Sequence, residues 1–233
     1  RWTVQVGKEE TAALFESAEG ESNGGEGGRG GSSGAGEGRV VYVQAHGAGG
    51  SMDDRSTAAA ATTLRACGLD VVRFDFLYRA KGSSRPDAMP KLQACFAAVV
   101  DSVRERVKLK RLLIGGRSMG GRAASMMAAD GFACAGLILL AYPLHPPGQP
   151  EKMRDAHLAQ IRVPVLCFNG TRDDFCRREL MDAVVAKLPK SWTMHWLTDA
   201  DHSFRVRKSS GRTDGDVLDE VVQAVKQWPM ASA

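Results

Sequence analysis

The sequence has no apolar run near the ~18 residues that a membrane-crossing helix needs, so no membrane span is expected. It also lacks any C-x-x-C pair. Its five cysteines (Cys67, Cys95, Cys134, Cys167 and Cys176) are odd in number, which argues for reduced thiols in a cytoplasmic setting rather than a disulfide framework. The chain opens on Arg1 rather than Met, so a targeting segment ahead of it is left open. No charge of one sign dominates: 31 Lys and Arg stand against 27 Asp and Glu, a net charge of +4. The basic residues are scattered, with short clusters at Arg104–Arg111 and Arg205–Lys208, so no nucleic-acid partner is expected.

Glycine, by contrast, is abundant, with 26 copies in 233 residues. Many of them fall in 17–38, "SAEGESNGGEGGRGGSSGAGEG", which holds no large apolar residue and reads as a flexible insertion in one domain spanning 1–233. The G-x-G-x-x-G within it (Gly25, Gly27, Gly30) has no strand before it and no helix after it, so it is no dinucleotide fingerprint.

Outside the insertion, strand-like and helix-like patterns alternate. "WTVQV" and "TAALF" read as two strands, followed by strands over 39–45, 69–76, 111–116, 135–143, 163–170 and 191–197. Helices are expected from Asp53 or Asp54 to Gly68, from Pro90 to Val107, after Met119, over "EKMRDAHLAQI", around Leu180–Leu188 and around Val217–Val225. Apolar strands without two-residue alternation are covered on both faces. The expectation is a three-layer α/β fold with a mostly parallel sheet, which places chemistry at the carboxyl ends of the strands.

At one such end stands "GGRSMGG". Gly116-Arg117-Ser118-Met119-Gly120 is G-x-S-x-G between a strand and a helix, the context of a nucleophile elbow. Gly116 and Gly120 relieve crowding around a serine forced to positive φ, and the Met119 N–H opens the helix as an oxyanion donor. The competing reading is a Gly-rich connection with an incidental serine. Later strand ends supply partners in the order acid, then histidine. "NGTRDD" offers Asp173, with Asp174 as the second choice and helix capping as the plain alternative. "DADHSF" offers His202 as base, whereas His145, His157 and His195 read as structural. "QAHGAGGSMD" offers the Ala48 N–H as second oxyanion donor, with Gly47 and Gly49 beside it and His46 as a positioning residue.

With "HGAGGSMD", "VVRFDFLYRAKGSSRPDAMP", "GGRSMGGRAAS", "VPVLCFNGTRDDFC" and "DADHSF" in order, the chain over about 39–227 resembles the α/β-hydrolase superfamily, in its small, uncapped dienelactone-hydrolase-like branch. More narrowly it resembles the hydrolase-like family of testis-expressed proteins, a subunit of the non-specific-lethal histone acetyltransferase complex and bacterial predicted hydrolases. The resemblance implies Ser118 as nucleophile, Asp173 as acid and His202 as base, with no cofactor and no metal. About 20 residues separate Pro143 from Pro164, too few for a lid domain. Two functions follow as expectations. One is a serine esterase or thioesterase acting on a small or soluble acyl substrate. The other is a catalytically silent scaffold whose partner is a protein complex. Arg79, Lys81 and Arg85 read as a solvated loop, with recognition of an acidic substrate as the alternative.

Overall fold

The computed structural model describes residues 1–18 and 38–231. Eight strands form one sheet in the order β1-β2-β4-β3-β5-β6-β7-β8. They are β1 (Trp2–Val6), β2 (Glu9–Glu16), β3 (Arg39–Ala45), β4 (Asp70–Phe74), β5 (Leu109–Arg117), β6 (Gly136–Leu140), β7 (Val165–Gly170) and β8 (Trp192–Leu197). Strand β2 pairs antiparallel with both β1 and β4, and every pair from β4 through β8 is parallel. The expected insertion at 17–38 enters after β2, but 19–37 lies outside the described residues.

The helices are α1 (Arg55–Arg65), α2 (Leu77–Ala80), α3 (Met89–Arg106), α4 (Met119–Ala129), α5 (Arg178–Val185) and α6 (Asp214–Gln227). Successive strand residues point to opposite faces, so each central strand feeds two cores. Val41, Val43, Phe74, Leu139 and Cys167 pack with Phe96 and Val99 of α3, Ala123 and Met127 of α4 and Met181 of α5. Tyr42, Val71, Leu113, Ile138 and Phe168 pack with Ala61 and Leu64 of α1 and Val217, Val221 and Val225 of α6. This is the expected three-layer arrangement. Among the described residues no helix is long and apolar enough to cross a membrane.

Two expectations need correction. The helix expected over "EKMRDAHLAQI" is only a single 3-10 turn, Leu158–Gln160. Pro150 precedes it, and tertiary bonds claim its backbone. The Arg154 N–H donates to Leu144 O (2.7 Å), and the Tyr142 hydroxyl donates to Arg154 O (2.6 Å). The second correction is α2, one short turn directly after β4, where the sequence read as a loop. The opening of α1 also differs in detail. Asp54 stands at its N-cap, but its carboxylate accepts from Ser51 N–H (2.8 Å) and Ser51 Oγ (3.0 Å) rather than from the helix. Among the described residues the connection from β6 to β7 at the carboxyl edge holds only the 3-10 turn and no lid domain.

Candidate active site

Ser118 links β5 to α4 with φ 49° and ψ −114°, a conformation that L residues adopt only under constraint. Its N–H donates to Leu140 O at 2.9 Å, tying the elbow to the neighbouring strand. Two glycines make the turn sterically feasible. A Cβ on Gly116, at φ 146°, would lie 2.2 Å from Ala45 O, and one on Gly120 would lie 2.6 Å from Ala45 O and His46 O. These are backbone atoms that cannot swing aside, so only hydrogen fits between α4 and the end of β3.

His202 approaches from the loop after β8. Its Nε2 lies 3.0 Å from Ser118 Oγ, and its Nδ1 lies 2.9 Å from both carboxylate oxygens of Asp173. A carboxylate only accepts, so the ring proton belongs on Nδ1 and Nε2 is left to accept from the serine hydroxyl. The Asp173 side chain is 0% exposed and the His202 side chain 23%. Buried charge requires partners, and Asp173 has them. Oδ2 accepts from Asn169 Nδ2 (3.1 Å) and Oδ1 from the Phe175 N–H (2.8 Å). The Phe175 ring stacks on the imidazole at 4.3 Å between centroids. Asp174, by contrast, is exposed and makes no bond to His202. Asp201 turns away from the imidazole as well. Its carboxylate accepts from the N–H groups of Ser203 (2.7 Å) and Arg205 (3.0 Å), shaping the loop.

The turn after β3 lies against the serine, since a Cβ on Gly47 would sit 3.7 Å from Ser118 Cβ. His46 holds this turn. Its Nε2 accepts from the Phe76 N–H (3.2 Å), and its Nδ1 donates to Gly47 O (2.8 Å). Burial lowers its pKa, which keeps the ring neutral in that tautomer. The Gly49 N–H donates to the Tyr78 hydroxyl (3.2 Å) and the Gly50 N–H to Gly47 O (3.1 Å). Among the described residues, neither the Ala48 N–H nor the Met119 N–H donates to a protein acceptor.

Three supporting side chains were not singled out by the sequence reading. Arg117, within the serine motif, is buried; it donates to His202 O and lies 5.2 Å over the Phe204 ring. Burial lowers its pKa, and the charges of Asp173 and Asp201 oppose that shift. Asn169 bridges Asp173 to Tyr142, donating to Tyr142 O (3.0 Å) and accepting from Tyr142 N–H (3.1 Å). Phe175 is the third. The available signal was polarity in the wrong place: an arginine and an asparagine inside apolar strands must find partners.

A second serine–histidine pair differs in kind. Ser125 Oγ lies 2.8 Å from His157 Nε2, but Ser125 is fully buried and its hydroxyl also donates to Arg122 O (2.9 Å). Burial pushes the pKa of His157 down to about 4. His145 is buried and accepts from the Arg177 N–H, and His195 pairs with Glu220 at 2.8 Å. In the loop after β4, Lys81 pairs with Glu9 at 2.8 Å and Arg85 is exposed. Among the described residues no three His, Cys, Asp or Glu side chains gather as a metal site.

The alpha/beta hydrolase domain family model matches residues 38–230. An alpha-beta serine hydrolase homologue from Coxiella burnetii is similar at 21% identity and TM-score 0.72, over 96% of this chain and 95% of that one. A serine hydrolase without a lid from Xanthomonas campestris is similar at 20% identity and TM-score 0.71, over 97% and 93%. A dienelactone hydrolase from Anabaena variabilis is similar at 18% identity and TM-score 0.67, over 98% and 95%. With an elbow serine at the carboxyl edge of a parallel sheet and a family match across most of its length, the chain belongs to the alpha/beta hydrolase family.

Proposed function

We propose that the chain is a serine hydrolase of esterase or thioesterase type, working through an acyl-enzyme. The observation that carries this reading is the unbroken relay from Ser118 Oγ through the His202 imidazole to the buried Asp173 carboxylate, at 3.0 Å and 2.9 Å. Ser118 Oγ attacks the carbonyl carbon while His202 Nε2 takes its proton. Asp173 keeps the ring oriented and stabilises the imidazolium. The N–H groups of Met119 and Ala48, each without a protein acceptor among the described residues, are assigned to the oxyanion. Collapse of the tetrahedral intermediate expels the alcohol or thiol, which takes the proton back from His202. Water then enters by the same route and releases the acid. A carboxyl edge without a lid domain among the described residues supports a small or soluble acyl substrate. Incubation with a fluorophosphonate is expected to leave one adduct, at Ser118, in the intact-protein and peptide mass spectra. A folded protein that stays unlabelled, and inert to a panel of short acyl esters and thioesters, would favour a silent scaffold instead.

Arg117 serves this reading as a positioning residue. Its guanidinium ties the elbow strand to the histidine loop through His202 O. Arg117→Met leaves that carbonyl unpaired, and we expect a loss of about 1–3 kcal/mol in urea unfolding. We also expect kcat to fall roughly tenfold with little change in KM, because a displaced imidazole weakens proton transfer more than binding. A loss of stability without a loss of kcat would leave Arg117 a purely structural residue.

A further inference from the structure

Arg122, in the first turn of α4, and Arg154, in the connection between β6 and β7, act on each other electrostatically, and neither has a carboxylate within 4.0 Å among the described residues. Arg122 follows Ser118 by one turn of α4, its N–H donating to Ser118 O at 3.0 Å. Helical side chains lean toward the helix N-terminus, so its stem runs back toward the elbow, on the same face as Met119 three residues earlier. Its Nε is buried and has no hydrogen-bond partner among the described residues. Arg154 lies in the connection between β6 and β7, which packs on α4 through His157 and Ser125, and among the described residues its one side-chain bond is weak, Nη1 to Pro143 O at 3.4 Å. Hydrogen bonds tie the region together: Ser125 Oγ joins Arg122 O to His157 Nε2, and the Tyr142 hydroxyl joins the segment after β6 to Arg154 O, so that the charge of Arg122 bears on Arg154, Tyr142 and His157. Neither the Tyr142 hydroxyl nor the His157 imidazole supplies a negative charge. The Tyr142 hydroxyl is spent on Arg154 O, and His157 is neutral and held by Ser125. Asp130 and Asp155 act on His157 but lie beyond ion-pair distance of both guanidiniums.

Two like charges that act on each other without a carboxylate in ion-pair distance repel, and a buried donor without an acceptor is costly. An oxyanion group reverses both effects, and the guanidinium fork matches its geometry. We propose that Arg122 and Arg154 form a subsite for an anionic oxygen group on the substrate, a carboxylate or phosphate, so that the preferred acyl substrate is acidic. This rests on the hydrolase reading above and names its substrate class. Four residues of helix set the backbones of Ser118 and Arg122 about 6 Å apart along the axis, and with the Arg122 stem leaning back the anion and the scissile carbonyl are joined by a short aliphatic spacer.

The binding arm of the test does not depend on turnover. In the Ser118→Ala protein, glutarate is expected to raise the melting temperature and to give a saturable calorimetric signal. Both should vanish when Arg122→Met or Arg154→Gln is added, with unchanged far-UV circular dichroism. Inorganic phosphate run in parallel distinguishes the sources, because saturable phosphate binding without glutarate binding assigns the subsite to a phosphorylated substrate. In the activity arm, a glutarate half-ester is expected to exceed the matching neutral valerate ester by about tenfold in kcat/KM. That ratio should collapse toward one in Arg122→Met. Glutarate binding by a protein that hydrolyses nothing would uphold the subsite and overturn the hydrolase reading. Equal hydrolysis of both esters without binding of either anion would do the reverse. Binding that survives both arginine substitutions would also overturn the subsite.

Discussion

Ser118→Ala is expected to lower kcat for any acyl ester the protein turns over by about 10⁴- to 10⁶-fold, with the melting temperature unchanged within a few degrees. The size follows from the role. Without Oγ there is no acyl-enzyme, and the remaining oxyanion donors can assist only direct attack by water, so a small residual rate persists. Stability should hold because, among the described residues, the Ser118 hydroxyl bonds only to His202, while the elbow is anchored by backbone, through the Ser118 N–H on Leu140 O. A companion variant separates chemistry from strain. At φ 49° and ψ −114° a side chain is a liability that glycine lacks. Ser118→Gly is therefore expected to be as inactive as Ser118→Ala and more stable, by about 1 kcal/mol, in chemical unfolding. A strained serine that can be removed with a gain in stability is the pattern of a residue kept for function. If Ser118→Ala retained most of the wild-type kcat for ester hydrolysis, the nucleophile would have to be sought elsewhere, and the buried Ser125 beside His157 is poorly placed to supply it.

The order of strands and the loops that carry Ser118, Asp173 and His202 were legible because each sits directly after an apolar strand. Strand ends are marked in a sequence by the abrupt change from Val, Leu and Ile to Gly, Asp and His. The choice between Asp173 and Asp174 was not legible from adjacency alone. It depends on which carboxylate the turn after β7 points inward, where the Asn169 amide and the Phe175 N–H wait. The reach of Arg117 across to the histidine loop was hidden for a similar reason, since His202 lies 85 positions further along the chain. The segment 151–161, "EKMRDAHLAQI", reads as a helix in the sequence. Periodicity reports a covered face, however, and here the cover is α4, which claims the segment through Ser125 and His157 before a helix can close. The pairing of Arg122 with Arg154 needed that same fold-back, so two unremarkable surface-type residues became a site only in three dimensions.

Asp173→Asn is expected to reduce kcat/KM by about 10⁴-fold at neutral pH, while Asp174→Asn stays within about twofold of wild type. Both oxygens of Asp173 accept hydrogen bonds, Oδ2 from Asn169 Nδ2 and Oδ1 from the Phe175 N–H, and both lie 2.9 Å from His202 Nδ1. An amide has one acceptor and one donor end, so in either orientation its NH₂ meets a donor. If the NH₂ is turned to His202, the ring must offer Nδ1 as acceptor and carry its proton on Nε2. That tautomer cannot take the proton of Ser118, which is 3.0 Å away. If the amide oxygen is turned to His202 instead, the imidazolium formed during attack faces a neutral group rather than a charge, and the barrier rises for that reason. The donor conflict should also appear as a stability loss of about 1–3 kcal/mol, since Asp173 is fully buried. Asp174, exposed and unbonded to the histidine, has none of these couplings. Kinetics and urea unfolding on the two variants side by side make the comparison internal. A loss of rate in Asp174→Asn with Asp173→Asn unaffected would move the acid by one residue and break the relay described here.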